Sequence, residues 1–452
     1  MKCSPAPKYA AKPSLAVSSR GAALPSSTAS HSPVSFGDHL LQALADTPVV
    51  LINGARQTGK STLVQSREVA DERSRQYLTF DDPGVLAAAT RDPNGFLAGL
   101  TTPVTLDEIQ RVPELFPSIK VAVDRKREPG SFLLTGSANV MLLPKLAEYL
   151  AGRMEVLTLW PFSQGEMAGV REGFVDALFR KQLKWLAGKS IGSRRDLFET
   201  VLAGSYPPVT SRRSGARRRA WFQSYLMTIL QRDVRDLANI SDLTAVPRLL
   251  VLAASRVGGL LNFADLSRGL ALPQTTLKRY FALLETTFLA QLLQPRSGNL
   301  GQRLIRTPKI YLNDTGLLAH LQGLTLERLE VNAGVIDGIL ENFVLMELKK
   351  QSAWSDTQPQ LFYWRTASGQ EVDIVLEDSA GHLVGVEVKA GATLGQGDTH
   401  GLRALAKAAG KRWIRGVVLY TGSEIIPFAG NLHGIPVPLL WRAHKGEEPI
   451  SS

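Results

Sequence analysis

At 452 residues the chain is too long for one ordinary hydrophobic core, and its 44% apolar and 21% charged content is that of a globular protein with several domains. No apolar run approaches a bilayer span, so no membrane anchoring is expected, and the single cysteine, Cys3, excludes an intrachain disulfide or a cysteine-based metal site, which fits a reducing cytoplasm. The net charge of +11 suits a polyanionic partner, either nucleic acid or an anionic membrane surface, and equally a basic surface with no partner.

Residues 1–37 are rich in Ser, Ala and Pro, carry Lys2, Lys8, Lys12 and Arg20, and contain no acid. They lack the apolar centre of a secretory signal; their composition fits a disordered basic extension and also an organelle transit peptide. A short amphipathic helix from Asp38 to Ala45 leads into Val49–Thr62, which carries the decisive motif. Four buried-type apolar residues, Val49 to Ile52, are followed by Gly54, Ala55, Arg56, Gln57, Thr58, Gly59, Lys60, Ser61 and Thr62. This is the spacing of a phosphate-cradling loop between a strand and a helix, so a nucleoside triphosphate is the expected ligand. Gly54 and Gly59 let successive N–H groups face one concavity, Lys60 is placed to reach the β- and γ-phosphates, and the Ser61 hydroxyl to complete a Mg²⁺ shell.

Tyr77–Asp82 reads as a strand ending in carboxylates, stopped by Pro83. Val104–Glu108 is a short apolar strand ending in Asp107 and Glu108. At a strand's C-terminal end after a phosphate loop, the first acid supports Mg²⁺ and the second polarises the attacking water. A third strand, Phe132–Thr135, runs into Gly136, Ser137, Ala138 and Asn139, where a polar tip, above all Asn139, orients that water or serves as ordinary turn chemistry. Arg153 precedes a further strand, Val156–Leu159. It can stabilise transition-state charge in its own subunit or, in a homo-oligomer, in a neighbour's, and it can equally be structural.

Gly54–Thr62, Leu106–Gln110, Thr135–Ser137 and Leu150–Arg153, in that order, resemble the prokaryotic AAA-type ATPases that carry a C-terminal domain of unknown function. The resemblance implies an α/β P-loop NTPase domain with a parallel sheet over residues 38–170, and ATP hydrolysis with Mg²⁺. It extends over most of the chain beyond the N-terminal extension, which that family does not generally have.

Residues 171–246 read as a helical region. It contains a turn at Gly204–Pro208 and a basic run, Arg212, Arg213, Arg217, Arg218 and Arg219, beside Trp221 and Tyr225. Residues 247–325 have helix-turn-helix order and resemble the winged-helix part of the same family. Asn262 is placed to cap one helix, and Leu277, Phe281 and Leu284 mark the next. Thr275, Lys278 and Arg279 lie on the second helix's other face as candidate DNA contacts. Strands Phe288–Leu293 and Lys309–Leu312 would form a wing tipped by Arg296, Arg303 and Arg306. Such a unit reads DNA or packs against a neighbouring domain.

Over residues 330–445 a helix, three alternating strands, a helix and a strand give an αβββαβ order. This resembles the restriction-endonuclease-like PD-(D/E)XK core, with Glu341, Asp373, Glu387 and Lys389 at its acidic and lysine positions. Glu387 and Lys389 share a strand face, and paired carboxylates there would hold a hard divalent cation while the lysine steadies a nucleophile. Glu-x-Lys on a half-buried strand is also what ordinary alternation produces. The expectation is therefore an ATPase coupling nucleotide state to nucleic-acid binding or processing. The alternatives are a nucleotide-operated protein-interaction switch without nuclease activity, and a DNA-binding regulator.

Overall fold

The computed structural model describes residues 34–70, 74–138, 151–180, 192–234, 244–296, 307–331 and 333–442, all within one compact unit, Ser32–Ser452. Cys3, Asn139, Arg303 and Arg306 lie outside the described residues.

The first sheet is built from β1 (Val49–Asn53), β2 (Gln76–Thr79), β3 (Val104–Asp107), β4 (Phe132–Gly136) and β5 (Met154–Thr158), all parallel, in the order β2-β3-β4-β1-β5. The continuous apolar runs in β1 and β4 follow from their central place, since both faces are covered and side chains alternate between them. Val49 and Leu51 pack with Phe116, Ile119 and Phe132 on one face. Val50 and Ile52 pack with Phe36, Leu40 and Leu133 on the other. Helix Val34–Asp46 begins four residues earlier than its expected start at Asp38 and supplies Phe36 and Leu40 to that second face. With this strand order, the loops after β1, β3 and β4 all open at one end of the sheet.

Helices Arg194–Ala203, Gly215–Thr228, Ala245–Ala254, Phe263–Leu270 and Gln274–Thr286 follow, then the antiparallel pair β6 (Ala290–Leu293) and β7 (Lys309–Leu312). As expected, the Asn262 side chain caps its helix by accepting from Ala264 and Asp265 N–H. Helix Gln274–Thr286 buries Leu277, Tyr280, Phe281 and Leu284 and leaves Thr275, Lys278, Arg279 and Ala282 exposed. Arg296 is a correction. It is buried against Glu377 at 3.1 Å, so it tips no wing.

The C-terminal part packs helix Ala333–Ser352 and helix His400–Ala409 on a mixed sheet of β8 (Gln360–Arg365), β9 (Glu371–Glu377), β10 (Leu383–Lys389), β11 (Trp413–Tyr420), β12 (Ile426–Phe428) and β13 (Leu432–Pro436). The order is β12-β13-β11-β10-β9-β8, with β10 and β11 parallel. One apolar cluster runs from Phe198 and Leu250 through Leu318 and Leu348 to Val386, so the middle helices and this sheet share a core.

The first sheet joins the rest through a buried polar junction. Lys350 Nζ donates to the Phe162 carbonyl at 2.9 Å and to Ser205 Oγ at 3.2 Å, and pairs with Glu347 at 2.7 Å. The Gln164 N–H donates to Glu347 at 2.9 Å. Beside them burial pushes Glu166 up to about 7, and burial together with Glu347 holds Glu172 well above the carboxylate range. Both folded values exceed the ordinary value of about 4.3, so the folded state binds these protons more tightly. The stability that Glu166 contributes is full below that value and is lost as pH rises through about 7, and the raised Glu172 acts in the same direction. Unfolding stability from urea titrations is expected to fall between pH 5 and pH 7, by up to about 1.4 kcal/mol per pH unit from Glu166. Glu166→Gln with Glu172→Gln should flatten that slope.

Candidate functional site

β1 delivers the chain into the Gly54–Thr62 loop at the sheet's carboxyl end. Gly54 has φ +151, and a Cβ there would lie 2.2 Å from the Leu159 carbonyl oxygen, so no side chain fits. Gly59 takes φ +93 immediately before helix Lys60–Val64. That helix is only one turn or so long, so the cradle depends on loop N–H groups and Lys60 more than on a long helix dipole. Lys60 is buried and donates to the Gly54 and Ala55 carbonyls at 2.9 and 2.8 Å, which holds its ammonium against the inside of the loop.

Ser61 and Asp107 come together: the hydroxyl lies 3.1 Å from both carboxylate oxygens. Tyr77 also donates to Asp107, at 2.9 Å, and Thr135 adds a further hydroxyl contact. Burial and the Asp107 carboxylate push the Tyr77 phenol up to about 12, so it stays a donor. A hydroxyl and a carboxylate side by side are the hard oxygen donors Mg²⁺ takes, and this set fits the ion.

Glu108 follows β3 in the left-handed region, φ 60. Its N–H donates to Thr135 Oγ1 at 3.0 Å, while its carboxylate accepts from Ser137 Oγ at 2.9 Å and from Gln110. Gln110 also donates to Ser137, at 2.9 Å. Thr135, Ser137 and Gln110 therefore aim Glu108. The signal for Ser137 was its place at the tip of β4. Asn139, the tip residue named from sequence, lies outside the described residues.

Arg153 is a correction for its own subunit. Its carbonyl accepts from the Val49 N–H at the start of β1, the end of the sheet opposite the loop. Its guanidinium pairs with Asp124 at 2.5 Å, so it cannot serve its own nucleotide site.

The C-terminal residues come together at one end of the mixed sheet. Lys389 Nζ lies 2.9 Å from Glu387, and the Val388 N–H donates to Asp373 at 3.0 Å. Burial and the Asp373 charge hold Glu387 and Glu341 well above the carboxylate range. Three participants were not foreseen. Lys309, from β7, lies 3.0 Å from Glu341, 2.6 Å from Glu371 and 3.3 Å from Asp373, and Tyr311 donates to Glu341. Lys309 and Tyr311 are two apart on one strand, the spacing that sends both to one face. Among the described residues no group of three or more Asp, Glu, His or Cys is arranged to hold a metal ion. Lys309 occupies the space among Glu341, Glu371 and Asp373, and Glu387 keeps one buried oxygen without a partner.

Three family models cover successive parts of the chain: an AAA domain over residues 46–168, a domain of unknown function (DUF8612) over 194–328, and a second domain of unknown function (DUF4143) over 337–440. The uncharacterized protein Rv2008c of Mycobacterium tuberculosis is 36% identical over 352 residues, which span 77% of this chain and 72% of the relative. The chain belongs to the same family as that protein. The uncharacterized protein Mb2031c of Mycobacterium bovis matches to the same extent. Among solved structures, the Walker-type ATPase of Pyrococcus abyssi is 15% identical with a TM-score of 0.38, covering 63% of this chain and 94% of its own. The RuvB Holliday junction branch migration motor of Thermotoga maritima is 18% identical with a TM-score of 0.24, covering 56% of this chain and 87% of its own.

Residues 46–168 form a P-loop domain of the AAA type. Its nucleotide loop touches the middle region directly. Tyr225 stacks on Trp221 with ring centroids 4.9 Å apart, bonds Tyr206 OH at 3.1 Å, and places its hydroxyl 3.5 Å from the Arg56 carbonyl. Tyr206 lies in the Gly204–Pro208 turn, so a displacement of the loop meets a packed aromatic group that leads into the shared core.

Proposed function

We propose that the chain hydrolyses ATP at Gly54–Thr62 and uses nucleotide state to control its grip on nucleic acid. The observation that carries the first half is the Ser61–Asp107 contact at 3.1 Å beside a Glu108 carboxylate positioned by Ser137 and Gln110. Lys60 and the loop N–H groups bind the phosphates. Ser61 and Asp107 would hold Mg²⁺, which supplies charge neutralisation at the β- and γ-oxygens. Glu108 takes the proton of the attacking water. Arg153 is left for a neighbouring copy's site in a homo-oligomer.

The second half is supported by the exposed face of Thr275, Lys278 and Arg279, by the net charge of +11, and by the Tyr225–Arg56 contact as the route between them. A helix presenting exposed polar and basic groups suits phosphate and base edges. Cleavage is not part of the proposal, because the Lys309 ammonium occupies the space among Glu341, Glu371 and Asp373.

The test is ATP turnover with and without duplex DNA, beside DNA binding at several salt concentrations. DNA should change turnover, and Lys278→Ala with Arg279→Ala should weaken binding and reduce the salt slope by about two, one per lost phosphate contact. Unchanged binding in that variant would remove the helix from the proposal. Turnover that never responds to DNA would leave a nucleotide-operated switch of protein contacts.

A further inference from the structure

The restriction-endonuclease-like resemblance calls for a divalent cation among Glu341, Asp373 and Glu387, and the geometry places something else there. Lys309 is 3% exposed at the side chain, and its Nζ meets Glu371, Glu341 and Asp373 at 2.6, 3.0 and 3.3 Å. An ammonium has three N–H donors, and three carboxylates receive them. Glu387 is paired with Lys389, so a second cation is already supplied on that side.

The surroundings close the position. The Tyr363 ring lies 5.7 Å from the Lys309 ammonium, and Tyr311 donates to Glu341. Gly258, at φ +78, packs so closely on Glu341 that a Cβ there would sit 2.9 Å from Oε2. A divalent ion needs most of its shell from oxygens at about 2.0–2.6 Å; the ammonium already holds one oxygen each of Glu341, Glu371 and Asp373, and Lys389 holds one of Glu387, whose second oxygen is buried without a partner.

We infer that the Lys309 ammonium is the resident cation of this cluster, standing where the nuclease-like fold would take a metal. The cluster then acts as an ionic clamp that binds the β6–β7 pair to the C-terminal sheet, and it takes up no divalent metal while Lys309 is in place. A metal ion seated among these acids would place a like charge beside the ammonium in one buried space.

Mn²⁺ bound to the full chain without nucleotide, counted by electron paramagnetic resonance, tests this apart from any cleavage or ATP assay. The wild-type protein and Asp373→Asn should bind the same number of ions, since Asp373 holds no metal. Lys309→Met should gain about one Mn²⁺ per chain, lost again on adding Asp373→Asn, while Lys309→Arg should match wild type. A wild-type Mn²⁺ that disappears with Asp373→Asn alone would overturn the inference, and this arm does not depend on how Lys309→Met folds. A folded Lys309→Met protein, with wild-type near-ultraviolet circular dichroism and no extra ion, would overturn it as well.

Discussion

Glu108→Gln should lower the ATP turnover number by about 10²–10⁴-fold while leaving nucleotide affinity within a few fold. The substitution keeps the size of the side chain and an oxygen that can still accept from Ser137 at its 2.9 Å position. What it loses is the capacity to take a proton from water. The backbone should hold its left-handed turn, because the residue 108 N–H still reaches Thr135 Oγ1 at 3.0 Å. Lys60→Ala supplies the contrast: it removes a buried ammonium from inside the loop and should lose affinity and turnover together. Phosphate release under saturating ATP, beside equilibrium binding of a fluorescent ATP analogue, separates the two. Near-wild-type turnover in Glu108→Gln would move the water-activating role to another residue.

The nucleotide site was readable from the sequence because its parts are local. Gly54 to Thr62 is one contiguous run, and Asp107–Glu108 announces itself as acids that end an apolar strand. The parallel sheet follows from the same short runs, since a strand covered on both faces has no polar side to show. Lys309 was hidden for the opposite reason. Its partners Glu341, Glu371 and Asp373 come from a helix and another strand far along the chain, and a lysine beginning a strand ordinarily faces water. Arg296 was misread on the same ground, with its partner Glu377 likewise distant in sequence. The strands β12 and β13 escaped notice because Ile426–Phe428 and Leu432–Pro436 are short and carry Pro and Gly, which weaken any alternation. Arg153 showed its proximity to a strand but not which end of the sheet that strand begins from.

Lys350→Met should destabilise the protein by about 3–5 kcal/mol, because it leaves Glu347 as an unpaired buried charge. Side chains of Lys350 and Glu347 are 4% and 1% exposed and 2.7 Å apart, so water cannot take over the lost partner. The Phe162 carbonyl loses its donor in the same step. For comparison, the exposed Arg195–Glu330 pair at 3.0 Å should contribute about 0–1 kcal/mol. In thermal melts Lys350→Met is expected to fall by on the order of 10 °C. The double variant Lys350→Met with Glu347→Met separates charge burial from packing. It removes both ions, fills the space with apolar atoms, and should recover most of the loss. A double variant as unstable as the single one would mean that the Phe162, Gln164 and Ser205 bonds, not the unpaired charge, carry the cost. Because those bonds tie the end of the AAA domain to the middle helices and to helix Ala333–Ser352, the recovered variant should melt as one cooperative transition only if the shared core alone suffices to join them.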